Sequence, residues 1–350
     1  MSCHNSQPLT SQMDRRRIGY IGLSLAVLGQ TALLSFLFGQ EREPTPAKSR
    51  SFLFTYQARI TDVEPGKKVR VWIPLAATNE DQAVAIEKME LPARGHVAQE
   101  PKYGNRLVFF ETPMPARGEL NMSIVYRVKR LEVRADLRSP RPTPEEVALF
   151  LKPDTRVPVG GKTLKLVEGR SLPRDNPLAL ARTLYDVVND HMRYSKEGTG
   201  WGQGDAEWAC DSRYGNCSDF HSLFISLARA HHIPAKFEIG FPLPPKRGQG
   251  EIPGYHCWAK FHVAGRGWIP VDISEANKVK NTDPAMVEYY FGNLTEDRVT
   301  FSVGRDLMLV PRQDGPPVNF FIYPYAEVDG KPLPSVKIHK KFLYEDCGDA

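Results

Sequence analysis

The chain has 350 residues, 25% of them charged, and a formal net charge of +5. That length is too great for one small domain and suits two, each with a sizeable core. The first 50 residues carry six basic and three acidic groups, leaving 40 against 38. With no basic run interleaved with aromatics elsewhere, charge gives no case for nucleic acid. Residues 1–17 form a basic segment ending in Arg15, Arg16 and Arg17, and residues 18–39 are mostly apolar. This pattern predicts an export signal or a membrane anchor, not part of the fold. The run is long enough for a bilayer span, though Gly22, Ser24, Gly29, Gln30 and Thr31 moderate it. A cleaved signal and a retained anchor, with the membrane as partner, both fit. In either case the basic flank puts the body outside the cytoplasm, membrane-anchored or periplasmic, in the cell envelope.

Residues 40–50 read as a linker. From 51 to 134 the pattern is strand and turn: Phe52-Leu53-Phe54-Thr55-Tyr56, Val69-Arg70-Val71-Trp72-Ile73, Leu107-Val108-Phe109-Phe110 and Ile124-Val125-Tyr126-Arg127-Val128 are separated by Pro, Gly and Asn. This predicts a β-sandwich whose alternating aromatics form its interior. Residues 135–175 are a Pro- and Arg-rich connector lying over the core. A helix over 178–191 follows, with Leu180, Leu184, Val187 and Val188 on one face.

The Gly-rich stretch 195–214 leads into Arg213-Tyr214-Gly215-Asn216-Cys217-Ser218-Asp219-Phe220. Phe220, Leu223, Phe224, Leu227 and Ala228 then recur with helical spacing, the stripe of an amphipathic helix that Pro234 closes. Gly215 permits a sharp turn and Asn216 is a good N-cap, so Cys217 falls in the first turn. Unsatisfied N–H groups and the helix dipole there stabilise a thiolate. Residues 233–241 alternate as a strand, and residues 242–254 form a loop reaching His256. Residues 255–263 and 268–273 read as a hairpin around Gly265-Arg266-Gly267. With its centre near 264 or 265, the position opposite His256 is Asp272 or a residue or two beyond it. The two should be neighbours, a base with its orienting carboxylate beside a cysteine nucleophile.

Together Gly215-Asn216-Cys217-Ser218-Asp219-Phe220, His232-Ile233-Pro234-Ala235-Lys236-Phe237, Tyr255-His256-Cys257-Trp258 and Gly267-Trp268-Ile269-Pro270-Val271-Asp272 resemble the transglutaminase-like superfamily of papain-related cysteine enzymes. Val71-Trp72-Ile73-Pro74-Leu75 and Tyr290-Phe291-Gly292-Asn293-Leu294 resemble bacterial members with a β-rich domain ahead of the core. The resemblance implies an α+β fold with an antiparallel sheet and a nucleophile helix, a catalytic core over 176–310 and C-terminal strands and tail over 311–350. It also implies a catalytic Cys217, His256 and Asp272, acyl chemistry on the amides of a protein or peptide substrate through a thioester, and no cofactor.

Several alternatives stand beside this. His221, one turn after Cys217, is a rival base, but only His256 has an Asp placed to fix its tautomer. A metal on Cys210, Cys217, His221, His256 and Cys257 lacks a common zinc spacing, and adjacent strand residues His256 and Cys257 point apart. Five cysteines in an exported chain invite disulfides, and a bridge to Cys217 would end the enzyme reading. A catalytically inactive binding or scaffold module of the same fold is the remaining alternative. The Cys217 N–H should help bind the oxyanion, with Tyr194, Trp201, Gln203 and Trp208 as unranked second donors. Hydrolysis and transamidation are both open.

Overall fold

Alternation governs the first strand, Ser49–Ile60, in which Phe52, Phe54, Tyr56, Ala58 and Ile60 are all buried. The computed structural model describes residues 47–135 and 141–348. Ser49–Ile60 pairs antiparallel with Leu120–Leu131 on one side and Ile338–Asp346 on the other. Gln82–Glu90 and Gln249–Ile252 complete this five-stranded sheet. A second five-stranded sheet runs in the order Lys331–Pro332, Tyr325–Val328, Lys68–Pro74, Arg106–Pro113, His96–Gln99. Inward aromatics of both sheets, Phe54, Tyr56, Tyr126 and Phe110, belong to one buried cluster.

The core's sheet has four antiparallel strands, in the order Gly267–Val271, His256–Val263, Ala235–Pro242, Arg298–Val303. Among the described residues six α-helices accompany it: α1 (Pro144–Leu149), α2 (Pro177–His191), α3 (Ala206–Ser212), α4 (Cys217–Ala230), α5 (Ile273–Val279) and α6 (Pro284–Tyr289). The fold class is thus α+β, with antiparallel sheets and a β-rich region preceding the core. The last strands join the two sheets of the β-rich region: Tyr325–Val328 pairs with Lys68–Pro74, and Ile338–Asp346 with Ser49–Ile60, so neither extends the core's sheet. Side-chain packing accounts for this, because Phe342 packs edge-on against Tyr56 at 5.0 Å and tilted against Phe241 of the core at 4.2 Å. Arg50 adds an ion pair to Asp346 at 2.7 Å and another to Asp297 at 2.6 Å.

The expected signal or anchor at residues 18–39 lies outside the described residues. Among the described residues no helix is long and apolar enough to cross a membrane. α2, with 15 residues, is shorter than the roughly 20 a span needs. The expectation of a transmembrane segment with the membrane as partner is corrected accordingly.

α4 is more deeply set than an amphipathic stripe predicts, for every residue from Cys217 to Arg229 is buried. Its polar face is satisfied from a distance. Arg229 meets Asp154 at 2.7 Å and the Lys152 carbonyl, Ser226 donates to the Pro158 carbonyl at 2.6 Å, and Ser222 accepts from Arg305 at 2.6 Å. Three of these partners belong to the connector, which packs over the helix and turns its polar side inward.

The strand Ala235–Pro242 shifts register between Ile239 and Gly240 against Arg298–Val303. A Cβ at Gly240 would run into the carbonyl oxygen of Val299. We expect Gly240→Ala to lower the free energy of unfolding by about 3 kcal/mol, the upper end for overpacking. Urea denaturation checks this; an unchanged midpoint would mean the two strands separate at no cost.

Candidate active site

The sequence around Cys217 folds as a capped helix start. The Asn216 side chain accepts from the Ser218 N–H at 2.9 Å, and the Asp219 carboxylate accepts from the Asn216 N–H at 2.9 Å, a reciprocal capping box. Gly215 is required there because a Cβ would run into the Asp219 side chain. Asp219 also accepts from the Gly202 and Gly204 N–H groups at 2.7 and 2.9 Å, which ties the preceding loop to the helix start. Burial raises its pKa to about 6 despite these donors.

His256 opens the strand His256–Val263 and is 5% exposed. Asp272 directly follows the strand Gly267–Val271 and is the N-cap of α5, a position the hairpin reading does not anticipate. The ladder pairs Ala259 with Val271, so His256 lies beyond the last paired residue and meets Asp272 across the strand end. Its Nε2 lies 2.8 Å from Asp272 Oδ2, and Arg298 Nη1 donates to the same oxygen at 3.0 Å. Oδ1 accepts from the Ser274 hydroxyl at 3.2 Å and the Glu275 N–H at 3.3 Å. Burial would raise the Asp272 pKa, but the charge and hydrogen bond of His256, with Arg298 behind, hold it well below the carboxylate range. For His256 burial works downward, yet Asp272 and Cys217 outweigh it and raise the imidazole to about 10.

Cys217, the first residue of α4, is a free thiol, 3% exposed. Burial pushes it up; hydrogen bonds to Cys257 and His256 and the His256 charge bring it well below the ordinary thiol value. His256 Nε2 is engaged by Asp272, so Nδ1 is the nitrogen left for Cys217. His256 and Asp272 are thus brought together, while Cys217 is linked to His256 and Cys257 through the charge interactions that shift its thiol. His221 differs. Its Nε2 accepts from the Ile273 N–H at 3.1 Å, so Nδ1 carries the proton and donates to the Cys217 carbonyl at 2.8 Å. Both nitrogens are committed to backbone.

Of the four oxyanion candidates, Tyr194 is held beside the segment entering α4 by parallel pairing of Arg193–Tyr194 with Tyr214–Gly215. The Lys278 ammonium sits 4.2 Å above its ring, and the charge of Cys217 helps raise its phenol after burial. Trp201 Nε1 donates to the Gly198 carbonyl, Trp208 packs edge-on against Tyr214, and Gln203 is exposed. A cleft of about 500 Å³ opens beside His256, lined also by Pro244, Ile252, Glu275, Tyr290 and Arg298.

Ligand atoms of His256, Asp272 and Glu275 lie within 4.8 Å of one another. The Arg298 guanidinium on Asp272 and the Lys278 ammonium on Glu275 at 2.5 Å already supply cations to both carboxylates, so this is a poor metal cradle. Cys210 lies on α3 with its thiol against the Lys162 carbonyl. Sequence reasoning missed the roles of Arg298, Cys257 and Asp219; only Asp219, at N3 after Asn216, carried a local signal.

Residues 165–273 match the family model described as Transglutaminase-like superfamily. An uncharacterized protein of Haemophilus influenzae is 28% identical over 338 residues, 86% of this chain and 91% of its own length. A Cytophaga hutchinsonii structure named a "putative cysteine protease" is 14% identical, with a TM-score of 0.56 over 87% of this chain and 93% of its own. The periplasmic domain of TgpA from Pseudomonas aeruginosa is 15% identical, with a TM-score of 0.32 over 71% of this chain and 94% of its own. The chain therefore has a transglutaminase-like, papain-like fold with a β-rich N-terminal region ahead of its core.

Proposed function

We propose that the protein is a cysteine enzyme acting on amide bonds of a protein or peptide outside the cytoplasm, with Cys217 as nucleophile, His256 as acid and base and Asp272 as orienter. The observation that carries this is a buried imidazole, bonded through Nε2 to a carboxylate, whose charge helps bring down the thiol of the first residue of a helix. The arginine-led apolar run at residues 15–39 supports export.

The Cys217 thiolate attacks the carbonyl carbon, and the oxyanion is held by the Cys217 backbone N–H, which has no helical acceptor at that position. Tyr194 supplies the second donor. His256, as imidazolium, gives its Nδ1 proton to the departing amine, leaving a thioester on Cys217. It then takes a proton from water or an acceptor amine, which attacks the thioester and frees the thiol. Asp272 keeps the ring in register and stabilises its charge throughout.

Cys217→Ala and His256→Ala should each abolish labelling by a thiol-directed acyl probe and turnover of a labelled peptide. Asp272→Asn should lower turnover on the order of 10⁴-fold, and Tyr194→Phe about 10²-fold. Undiminished binding of peptide with no turnover in any variant or in the parent would instead establish a binding module. A labelled amine offered with and without a Gln-bearing peptide separates transfer from hydrolysis.

The ion pair has its own signature. A histidine raised in the fold contributes stability that is complete below its unfolded pKa of about 6.5 and is lost as pH rises through about 10. The His256 ring signal in NMR should therefore stay that of imidazolium through neutrality, and Cys217→Ala should lower its titration point. Alkylation of Cys217 should change little across neutral pH, where an ordinary thiol gains about tenfold per unit. A tenfold rise per unit would contradict a preformed thiolate.

A further inference from the structure

A residue outside the set of Cys217, His256 and Asp272 joins the two elements that carry the thiol and the imidazole. Tyr255 directly precedes His256, is half-buried, and its phenol reaches the start of α4. There the Asn216 amide nitrogen donates to the phenol oxygen at 3.1 Å, and the Ser218 hydroxyl lies 2.9 Å from it. These two partners flank Cys217 in the chain, and both are buried. The helix cap settles which group donates. Asn216 Oδ1 is taken by the Ser218 N–H at 2.9 Å, so the amide presents its NH2 to Tyr255, and the phenol proton is left for Ser218. Burial raises the phenol, so that proton stays on at neutral pH. The ring packs against Phe320 at 5.7 Å and Tyr323 at 5.9 Å. Gly202 of the loop ahead of α4 lies against the contact, for a Cβ there would stand 3.3 Å from Asn216 Nδ2 and 4.0 Å from the phenol oxygen.

We propose that Tyr255 is a positioning residue, whose hydroxyl clamps the strand opening with His256 to the first turn of α4 and so sets the separation of the Cys217 sulfur from the imidazole. Its hydrogen bonds go to the residues before and after Cys217, so Tyr255 acts through placement of the backbone that carries the sulfur. Two bonds to residues on either side of Cys217 also fix more than one bond could. Neither a slide of α4 along its axis nor a roll of its first turn leaves both intact. Further along, α4 packs on the same strand through Phe224 and Phe261, whose rings are 6.1 Å apart. That contact holds the far part of the two elements, and Tyr255 holds the part where the chemistry occurs. Separation matters there twice, because attraction between thiolate and imidazolium falls with distance and proton delivery to the leaving amine needs hydrogen-bond reach. The inference rests on the assignment of Cys217 and His256 made above.

The test follows alkylation of the full chain by iodoacetamide, which needs no substrate, with peptide mapping to isolate Cys217 and urea denaturation to confirm that each variant is folded. In the parent the Cys217 rate should be nearly flat across neutral pH. In Tyr255→Phe, which keeps the ring and loses only the hydroxyl, it should climb with pH toward the roughly tenfold per unit of an ordinary thiol. Turnover of a labelled peptide by the same variant should show kcat lower by about 10²-fold, the cost of a displacement of about 1 Å, at an unchanged KM. Ser218→Ala, which removes the acceptor of the phenol proton, should move both readouts the same way, and the double variant should go little further than Tyr255→Phe because the two changes break one contact. A ring that serves packing alone would leave Tyr255→Phe with the parent's flat profile, and that profile in the folded variant overturns the proposal. Turnover surviving in Cys217→Ala would instead remove the assignment of the nucleophile, and the alkylation profiles would still decide whether Tyr255 places the thiol.

Discussion

The centre depends on one buried carboxylate. Asp272 has no exposed surface, yet it accepts hydrogen bonds from His256 and Arg298 on one oxygen and from the start of α5 on the other. An isolated carboxylate would not remain charged at such a depth. It does so here because two cations face it, and the surplus positive charge is met by the Cys217 thiolate. Two negative and two positive groups then make a neutral set, the condition under which buried ions are tolerated. Removing any one leaves an uncompensated charge, which is why thiol, imidazole, carboxylate and guanidinium are better regarded as one unit.

That unit is also tied to the β-rich region. Arg298 begins a core strand, and its neighbour Asp297 pairs with Arg50 on the first strand, whose guanidinium also holds Asp346 on the last. Arg298 further stacks 4.8 Å from the Trp258 ring, one strand residue beyond Cys257. The first and last described strands therefore meet beside the segment that carries Arg298. The C-terminal strands hold the first strand in place as well as closing its sheet.

Much of this was legible from local pattern. Alternation marked the strands of the β-rich region, and Gly215-Asn216-Cys217 marked the helix start, because caps and strands are written within a few residues. What escaped notice was written at a distance. α4 reads as a stripe with a polar side, but Asp154, Pro158 and Arg305 satisfy that side from elsewhere in the chain. Arg298 follows its partner Asp272 by 26 residues with no periodicity linking them. Strand alternation also separates His256 from Cys257, yet both bear on the Cys217 thiol. Asp272 was expected on a strand face and instead caps a helix, where backbone N–H donors add to its hold on the negative charge.

The loop ahead of the thiol is tied to the helix start by a second carboxylate. Asp219 binds the N–H groups of Gly202, Gly204 and Asn216, so the Gly-rich loop, the cap and the first turn of α4 share one acceptor. Burial raises that acceptor to about 6, so it is ionised, and its hydrogen bonds charge-assisted, only above that pH. On acidification it becomes neutral while Asp272 stays charged. The loop bonds at Gly202 and Gly204 then weaken before the His256–Asp272 pair is touched. The order follows from environment: Asp219 faces backbone dipoles in a buried turn, whereas Asp272 faces two full positive charges.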